Sequence, residues 1–186
     1  MFELDSNLNL SAKGMIPDEL AKDISFRDWA SIVIQKFIEL GTYYEKSIGG
    51  DGKIIGGEKK EIIDQLCIIF QSILSLRIRT LSEKEFQFML THENRGSVSF
   101  NFSSYNFWEM TGTLPMNYKI QPTKFSNWIN KKLLPQIKEL ISVYGKALED
   151  GVITPKERGE IYKVIDPLLF EIIIIVIYLE RYLVVK

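Results

Sequence analysis

The chain has 186 residues, 46% of them hydrophobic, and carries 23 Lys and Arg against 24 Asp and Glu. This composition excludes a disordered or collagen-like chain, and a formal charge of −1 gives no overall attraction to nucleic acid or to an anionic membrane. A single cysteine, Cys67, and a single histidine, His92, exclude an internal disulfide framework, a cysteine zinc cluster and most histidine-dependent chemistry.

The first ten residues, MFELDSNLNL, alternate apolar and polar side chains from Phe2 to Leu10, with Ser6 as the exception, which is typical of a β-strand. They contain neither the basic nor the apolar segment of a signal peptide. The most hydrophobic stretch, 168–179, covers about a dozen residues and contains Glu171, whereas a membrane span needs roughly 20 apolar residues. We therefore predict no targeting segment, no membrane span and a cytoplasmic location.

Helical periodicity occurs in two regions of the chain. Apolar residues recur every three or four positions over 26–48 and 62–76, and again over 133–148 and 161–179. Each region therefore predicts a pair of helices. Pro167 should kink the last of the four, because proline removes a backbone donor.

Between the two helical regions lie two segments with strand periodicity. Phe86, Phe88 and Leu90 alternate with polar residues, residues 98–102 do the same, and a polar turn with glycine separates them. This pattern predicts a β-hairpin. The chain as a whole predicts an α+β fold in which four substantial helices lie over a small, mostly antiparallel sheet.

An internal repeat is the strongest signal in the sequence. Residues 26–62 align without a gap on residues 125–161, a shift of 99, and nine of the 37 pairs are identical, including Ile38 with Ile137. Unrelated segments of ordinary composition match at roughly 6% of positions. The motif F-x-x-W opens both segments, and D-G-x-I-x-x-x-E-x-x-E-I closes both.

A second, weaker alignment precedes the first. Residues 2–17 align on residues 100–115 at a shift of 98. The two alignments together predict a tandem duplication with units at 1–90 and 91–186. We expect the units to pack as one compact body about a pseudo-twofold axis, as the subunits of a homodimer do.

The shared D-G-x-I-x-x-x-E motif is interpreted as the turn between the two helices of each unit. The glycine can adopt the positive φ that ends a helix, and the glutamate falls in the first turn of the next helix. In the second unit Thr154, Pro155 and Glu157 have the spacing of a capping box. Six residues are assigned to these structural turns: Asp51, Gly52, Glu58, Asp150, Gly151 and Glu157.

The same motif resembles the second half of an EF-hand calcium loop. In that alignment the first and third ligand positions are Ser47 and Gly49 in one loop, and Lys146 and Leu148 in the other. Calcium needs several oxygen ligands, and an ammonium group at the first position repels it. We therefore predict that neither turn binds a metal, and the sequence indicates no cofactor.

The helix–DG–helix pattern with a long aliphatic second helix, over 133–183 and 34–81, is similar to helical hairpins of small phage and prophage proteins. Some of those proteins are regulators, so the resemblance implies a phage or mobile-element origin and, as an alternative function, a nucleic-acid-binding regulator. No helix-turn-helix reader precedes the hairpins, and the basic residues are scattered along the chain. We therefore do not expect nucleic acid as the partner.

No set of residues in the sequence matches a catalytic or nucleotide-binding site. The glycines around Lys59 lack the spacing of a phosphate-binding loop, since Gly57 is followed by Glu58. Cys67 falls on an apolar helical stripe, which is typical of an inert core thiol, and His92 falls in the predicted hairpin turn. We therefore predict that the protein is not an enzyme.

The aromatic residues form two groups. Trp29 and Trp128 open the first helix of each unit, where we expect them to anchor that helix on the sheet. Tyr105, Phe107 and Trp108 follow the predicted hairpin, and we expect them to form an exposed partner surface.

The final helix also bears on function. Residues 172–177 are apolar on every side, so a helix there must be covered all round, by the rest of the chain or by a second subunit. We therefore predict a non-enzymatic structural or protein-interaction protein. Its partner would be another protein or a second copy of the chain.

Overall fold

The computed structural model describes residues 2–17, 24–48, 54–81, 87–92, 96–102, 107–114 and 127–182. The side chains of Ile48, His92 and Tyr182 are excepted. Within these ranges the chain forms strands β1 (Phe2–Leu4) and β2 (Asn9–Met15), helices α1 (Phe26–Ile48) and α2 (Gly56–Arg79), strands β3 (Gln87–His92), β4 (Gly96–Phe102) and β5 (Phe107–Thr113), and helices α3 (Leu134–Ala147) and α4 (Pro155–Tyr182). A π-helical turn, Trp128–Leu133, leads into α3. The fold is α+β, as the sequence predicts.

The strands form one antiparallel sheet in the order β1-β2-β5-β4-β3. The predicted β-hairpin is confirmed as β3 and β4, whose register places Phe88 opposite Phe100 with ring centroids 4.9 Å apart. β5 pairs with β4 on one side and with β2 on the other. It therefore joins the N-terminal strands to the later hairpin.

The strand periodicity from Phe2 to Leu10 belongs to two strands, because β1 and β2 form a hairpin with a turn between them. The carboxylate of Asp5 accepts hydrogen bonds from the backbone N–H groups of Asn7 at 2.8 Å and Asn9 at 2.9 Å. Leu8 adopts a φ of 63°, in the left-handed region. The alternation of apolar residues is interrupted only at Ser6 and resumes in the same phase at Leu8, which is why periodicity alone did not locate the turn.

The helices form two layers on one face of the sheet. α2 and α4 make the inner layer: Phe70 of α2 packs on Phe2 at 5.1 Å and on Trp108 at 5.7 Å, and α4 contacts β1 and β3. α1 and α3 make the outer layer and pack on the inner helices and on each other. The core therefore runs from the sheet through the inner helices to the outer pair.

The inner position of α4 explains its composition. Every residue over 172–177 is buried within the one chain, because the sheet covers one side and other helices cover the rest. α4 continues through Pro167 without a break. Of the two sources of cover that the sequence leaves open for residues 172–177, the rest of the chain supplies it, through the three-layer arrangement.

The strand registers of the two halves correspond at a shift of 98. Phe2 lies opposite Ala12 across β1 and β2, and adding 98 to both numbers gives Phe100 opposite Met110, the register of β4 and β5. β2 and β5 pair with Ala12 opposite Met110. The same shift of 98 converts each residue pair on one side of this central pair into a residue pair on its other side. The sheet therefore has matching registers on both sides of this central pair.

The buried positions of the helices also correspond. In the inner helices they match at a shift of 99, as Ile62 and Ile161 do, both fully buried. In the outer helices they match at a shift of 100, as Phe37 and Ile137 do. The two halves thus use the same helical faces with a difference of one residue.

The π-helical turn accounts for that difference. A π turn takes up one more residue than an α turn, so positions after Trp128–Leu133 are displaced by one relative to α1. The ungapped alignment of Ile38 with Ile137 is therefore wrong as a structural equivalence. Ile38 is 48% exposed, whereas Ile137 is fully buried.

Candidate functional site

The face of the sheet that points away from the helices is the first candidate surface. Strand alternation puts Trp108 and Met110 in the core and Glu109 between them in solvent. The outward residues are exposed or half-buried, and we call them the outer face: Glu3, Asn9, Ser11, Lys13, Met15, Gln87, Met89, Thr91, Ser97, Ser99, Asn101, Phe107, Glu109, Thr111 and Thr113.

Hydroxyl and amide side chains dominate the outer face. The registers align Ser11, Thr111 and Ser99 in one row across β2, β5 and β4. The charged members are Glu3, Lys13 and Glu109, and Lys13 lies directly opposite Glu109, so two of the three charges offset each other. The outer face is therefore a nearly neutral surface of short hydrogen-bonding side chains.

Two methionines on the outer face are strongly exposed. Met15 is 65% exposed and Met89 is 59% exposed, although both lie in strands. Met15 lies opposite Phe107, which is half-buried on the same face. A methionine side chain is flexible and polarizable, and it is used at surfaces that adapt to a partner.

The predicted aromatic partner surface is not formed as a unit. Trp108 is fully buried, and its indole N–H donates to Oε1 of Gln71 at 3.2 Å, so the expectation that it is exposed is wrong. Phe107 belongs to the outer face instead, because consecutive residues of a strand point to opposite faces. Tyr105 lies outside the described residues.

The paired tryptophans anchor helices on helices. The indole N–H of Trp29 donates to the backbone carbonyl of Ser72 on α2 at 3.0 Å, and Trp128 lies edge-on to Tyr178 of α4 at 4.8 Å. The expectation that they anchor on the sheet is wrong, because the inner helix layer separates them from it.

The turn residues make local contacts. Gly151 has a φ of 81°, Oδ1 of Asp150 accepts from the N–H of Val152 at 3.3 Å, and the N–H of Glu157 donates to Thr154 Oγ1 at 3.2 Å. These bonds close the turn and begin α4. In the described residues, no group of three or more His, Cys, Asp or Glu side chains could hold a metal ion.

The corresponding turn of the first half is described from Ile54 onward. Glu58 accepts a hydrogen bond from the backbone N–H of Ile55 at 3.0 Å through its carboxylate, which is the reciprocal half of a capping box. Asp51 and Gly52 lie outside the described residues. Both glutamates of the shared motif thus lie at the start of a helix.

A buried ion pair is the main site that the sequence analysis missed. The Nε of Arg77 on α2 donates to Oδ1 of Asp166 on α4 at 2.7 Å, and Arg77 is only 4% exposed. Its guanidinium lies between the rings of Tyr162, 3.5 Å from the centroid, and Phe88, 4.2 Å from the centroid. We call these four residues, with Thr80, the arginine clamp.

The arginine clamp ties three elements together. The hydroxyl of Tyr162 donates to the backbone carbonyl of Thr80 at the end of α2, while Phe88 comes from β3. Burial raises the pKa of Asp166, and the adjacent Arg77 opposes that shift. Nη1 of Arg77 is buried with no hydrogen-bond partner, so the clamp is only partly satisfied. The available sequence signal was a positive charge on the inner face of α2, where Arg77 is the one charged residue among the buried residues of the helix.

A second ion pair lies between the π-helical turn and α4. The Nζ of Lys132 lies 3.0 Å from Oε1 of Glu171, whose side chain is 4% exposed while that of Lys132 is 42% exposed. Glu171 sits in the middle of the aliphatic run of α4. The π-helical turn brings Lys132 from the outer layer to this buried carboxylate.

The remaining candidates are small. A groove of about 320 Å³ between α1 and α2 mixes polar and apolar groups, with Ile68 beside Lys36 and Glu39. Burial raises the pKa of the Cys67 thiol to about 11, so the thiolate form that reacts as a nucleophile is scarce at neutral pH. Neither feature brings together a nucleophile and a base.

No protein-family model, curated protein or solved structure matches this chain. Among the described residues, no helix has the length and apolar character that crossing a membrane requires.

Proposed function

We propose that the protein is a non-enzymatic interaction protein that binds a protein partner through the outer face of its sheet. The observation that carries this proposal is the composition of that face, where short hydroxyl and amide side chains surround exposed Met15 and Met89.

The chemistry of the outer face favours a protein partner. Charged residues are depleted in the centre of protein interfaces, while methionine and aromatic residues are enriched there. Serine and threonine lose little side-chain freedom when they are covered, so ordering them costs less than ordering lysine or glutamate. The strand registers fix the backbone positions of these residues before a partner binds.

The dimensions of the outer face are adequate for a modest interface. Strand spacing and rise give a surface of at most about 24 Å by 24 Å, because three of the five strands have seven residues while β1 has three and β3 has six. A standard interface buries roughly 800 Å² on each partner, and transient ones bury less. The outer face alone is therefore suited to a transient complex.

Nucleic acid is a less favoured partner for this geometry. Lys13 is the only basic residue of the outer face, and it lies opposite Glu109. Elsewhere Lys60 pairs with Asp64, and Arg77 is buried in an ion pair with Asp166, so both of these basic residues are already engaged within the chain. Phosphate binding needs a continuous set of available cations. The phage-type regulator and the phage origin stay predictions of the sequence resemblance.

A substitution at the centre of the outer face tests the proposal. Thr111→Arg places a long charged side chain in the middle strand, and Glu45→Arg on exposed α1 is the matched control. The amount of partner protein that the chain captures from extracts of the source cells should fall at least tenfold for Thr111→Arg. It should stay unchanged for Glu45→Arg. Capture of the same partner by wild type and Thr111→Arg would contradict the proposal, as would binding only to nucleic acid with a steep salt dependence.

A further inference from the structure

β3 is an edge strand of the sheet with one unpaired side. It pairs with β4 without a bulge from Gln87 to His92, and no described residue pairs with its other side. The backbone groups on that side form a template for another strand. Met89, on the same strand, is 59% exposed.

The two edges of the sheet differ in how they are protected. β1 is three residues long and carries Glu3, with Asp5 in the turn that follows, so it offers little to an incoming strand. The residues of β3, QFMLTH, include no Lys, Arg, Asp, Glu or Pro. Natural edge strands avoid pairing through short length, charge, proline or bulges, and β3 has none of these features.

We propose that two copies of this chain associate by antiparallel pairing of β3 with β3 of the second copy. The pairing makes one ten-stranded sheet, with the two outer faces on the same side. It goes beyond the proposed function, because it assigns a partner to the edge of the sheet and does not depend on what binds the outer face.

The faces of the strand restrict the register. Residues directly opposite in an antiparallel pair share a face, so Met89 must meet an outward residue and Phe88 an inward one. A twofold axis at Met89 places Phe88 opposite Leu90 of the second copy and extends the apolar row. A twofold axis at Leu90 would place Phe88 opposite His92 instead. We therefore assign the register with Met89 opposite Met89 of the second copy.

A second copy suits this edge for two reasons. β3 contains no Lys, Arg, Asp or Glu. Its antiparallel pairing with β3 of a second copy therefore brings no like charges of these residues face to face. The pairing also continues an arrangement present inside the chain, where β2 and β5 meet about the central Ala12 and Met110 pair. The same antiparallel geometry then joins two chains.

Cysteine crosslinking tests the register. Directly opposed residues have Cβ atoms about 4.5–5.5 Å apart, close enough for a disulfide after small adjustment. Met89→Cys should give at least half of the chains as covalent dimer under mild oxidation. Ser99→Cys, on the same face but in β4, should give less than a tenth, and so should wild type, because Cys67 is buried.

A mixed experiment separates this register from random collision. Gln87→Cys and Thr91→Cys lie opposite each other only between chains, so a mixture of the two variants should crosslink while each variant alone should not. Crosslinking of each variant alone to the same extent as the mixture would overturn the register.

The association itself is tested by sedimentation of the full chain. The wild type should be a dimer, and Met89→Lys, which opposes two ammonium groups, should raise the dimer Kd at least tenfold. Ser99→Lys should leave it unchanged, and all three should melt cooperatively. A wild-type monomer up to 100 µM would overturn the proposal, as would a dimer that Met89→Lys leaves intact. A β3 edge that binds only an extended peptide from another protein would also overturn it.

Discussion

Ala12 and Met110 lie opposite each other at the centre of the sheet, where β2 meets β5. A shift of 98 residues converts the strand register on one side of this pair into the register on the other side. The predicted tandem duplication of a strand-and-helical-hairpin unit would produce that correspondence of registers and the matching buried positions of the helices. In this account the sheet grows by twofold antiparallel pairing, first within the chain and then between copies.

Two small residues allow close packing at equivalent places in the sheet. A Cβ on Gly112 would lie 2.5 Å from the backbone oxygen of Ser97 and from Cγ1 of Val98, and a Cβ on Gly14 would lie 2.9 Å from the ring of Trp108. Gly112→Ala should therefore lower the free energy of unfolding by about 1–3 kcal/mol, measured by chemical denaturation.

Gly159→Ala is the matched control for that substitution. Nothing lies within 4 Å of its would-be Cβ, and the residue is in the interior of α4. Replacing a helical glycine by alanine stabilises by roughly 1 kcal/mol. If Gly112→Ala were neutral while Gly159→Ala stabilised, the packing described at β4 and β5 would be incorrect.

The arginine clamp should be sensitive to loss of one partner. Arg77→Met leaves the carboxylate of Asp166 without its cation in a half-buried place and should destabilise by about 2–4 kcal/mol in chemical denaturation. Arg77→Met with Asp166→Asn removes both charges and should recover at least half of that loss. Equal destabilisation by the single and double variants would contradict a coupling between the two side chains.

The Asp5 turn should make part of the stability depend on pH. Hydrogen bonds from Asn9 and Asn7 lower the pKa of Asp5 below 3.8, so the ionised form is favoured in the folded state. Its stabilising contribution is therefore present above the unfolded pKa and is lost as the pH falls through the lower folded pKa. Asp5→Ala should destabilise at pH 7, and the difference from wild type should shrink at pH 2, as measured by urea denaturation. A difference that does not change with pH would show that the turn does not depend on ionised Asp5.

The π-helical turn should tolerate a deletion that α1 does not. Removing Asn130 takes out the extra residue and leaves Trp128 and Leu133 on the same side of the helix, so stability should change by no more than about 1 kcal/mol. Removing Ser31 from regular α1 rotates the residues on one side of the deletion by about 100° against the core, and that variant should fail to fold cooperatively. Thermal melts followed by circular dichroism compare the two, and equal loss would contradict the one-residue displacement.

Calcium should leave the melting temperature unchanged. In the described residues of the second turn, the first ligand position of a calcium loop is Lys146, and no native-state binding energy is available to raise stability. Thermal melts with and without 1 mM calcium test this, with magnesium as the control. A rise of several degrees specific to calcium would contradict it.

Residue patterns within short segments predicted the structural elements that depend on those segments alone. The hairpin around Phe88 and Phe100 and the inner stripe at Ile62 and Ile161 follow from periodicity, because burial of one face imposes it. The turn at Asp5 was missed because the alternation of apolar residues resumes in the same phase after Ser6.

Other features depend on contacts far apart in the chain. Arg77 and Asp166 meet only when the inner helices pack, and the burial of Trp108 depends on which face of β5 meets Gln71. The π-helical turn causes a one-residue displacement, and an ungapped alignment cannot represent such a displacement. The outer face becomes a surface only once five strands from both halves are placed side by side.

Amide hydrogen exchange of β3 and β5, followed by mass spectrometry at 2 µM and 200 µM protein, tests most directly the claim that the sheet is the binding element of this protein. β5 is paired on both sides within the chain and should exchange slowly at both concentrations. The backbone amides of Gln87–His92 that point to the unpaired side of β3 should exchange rapidly in dilute solution. Their exchange should be at least tenfold slower at 200 µM. Exchange of β3 that is independent of concentration, with concentration-dependent protection elsewhere in the chain, would contradict the account.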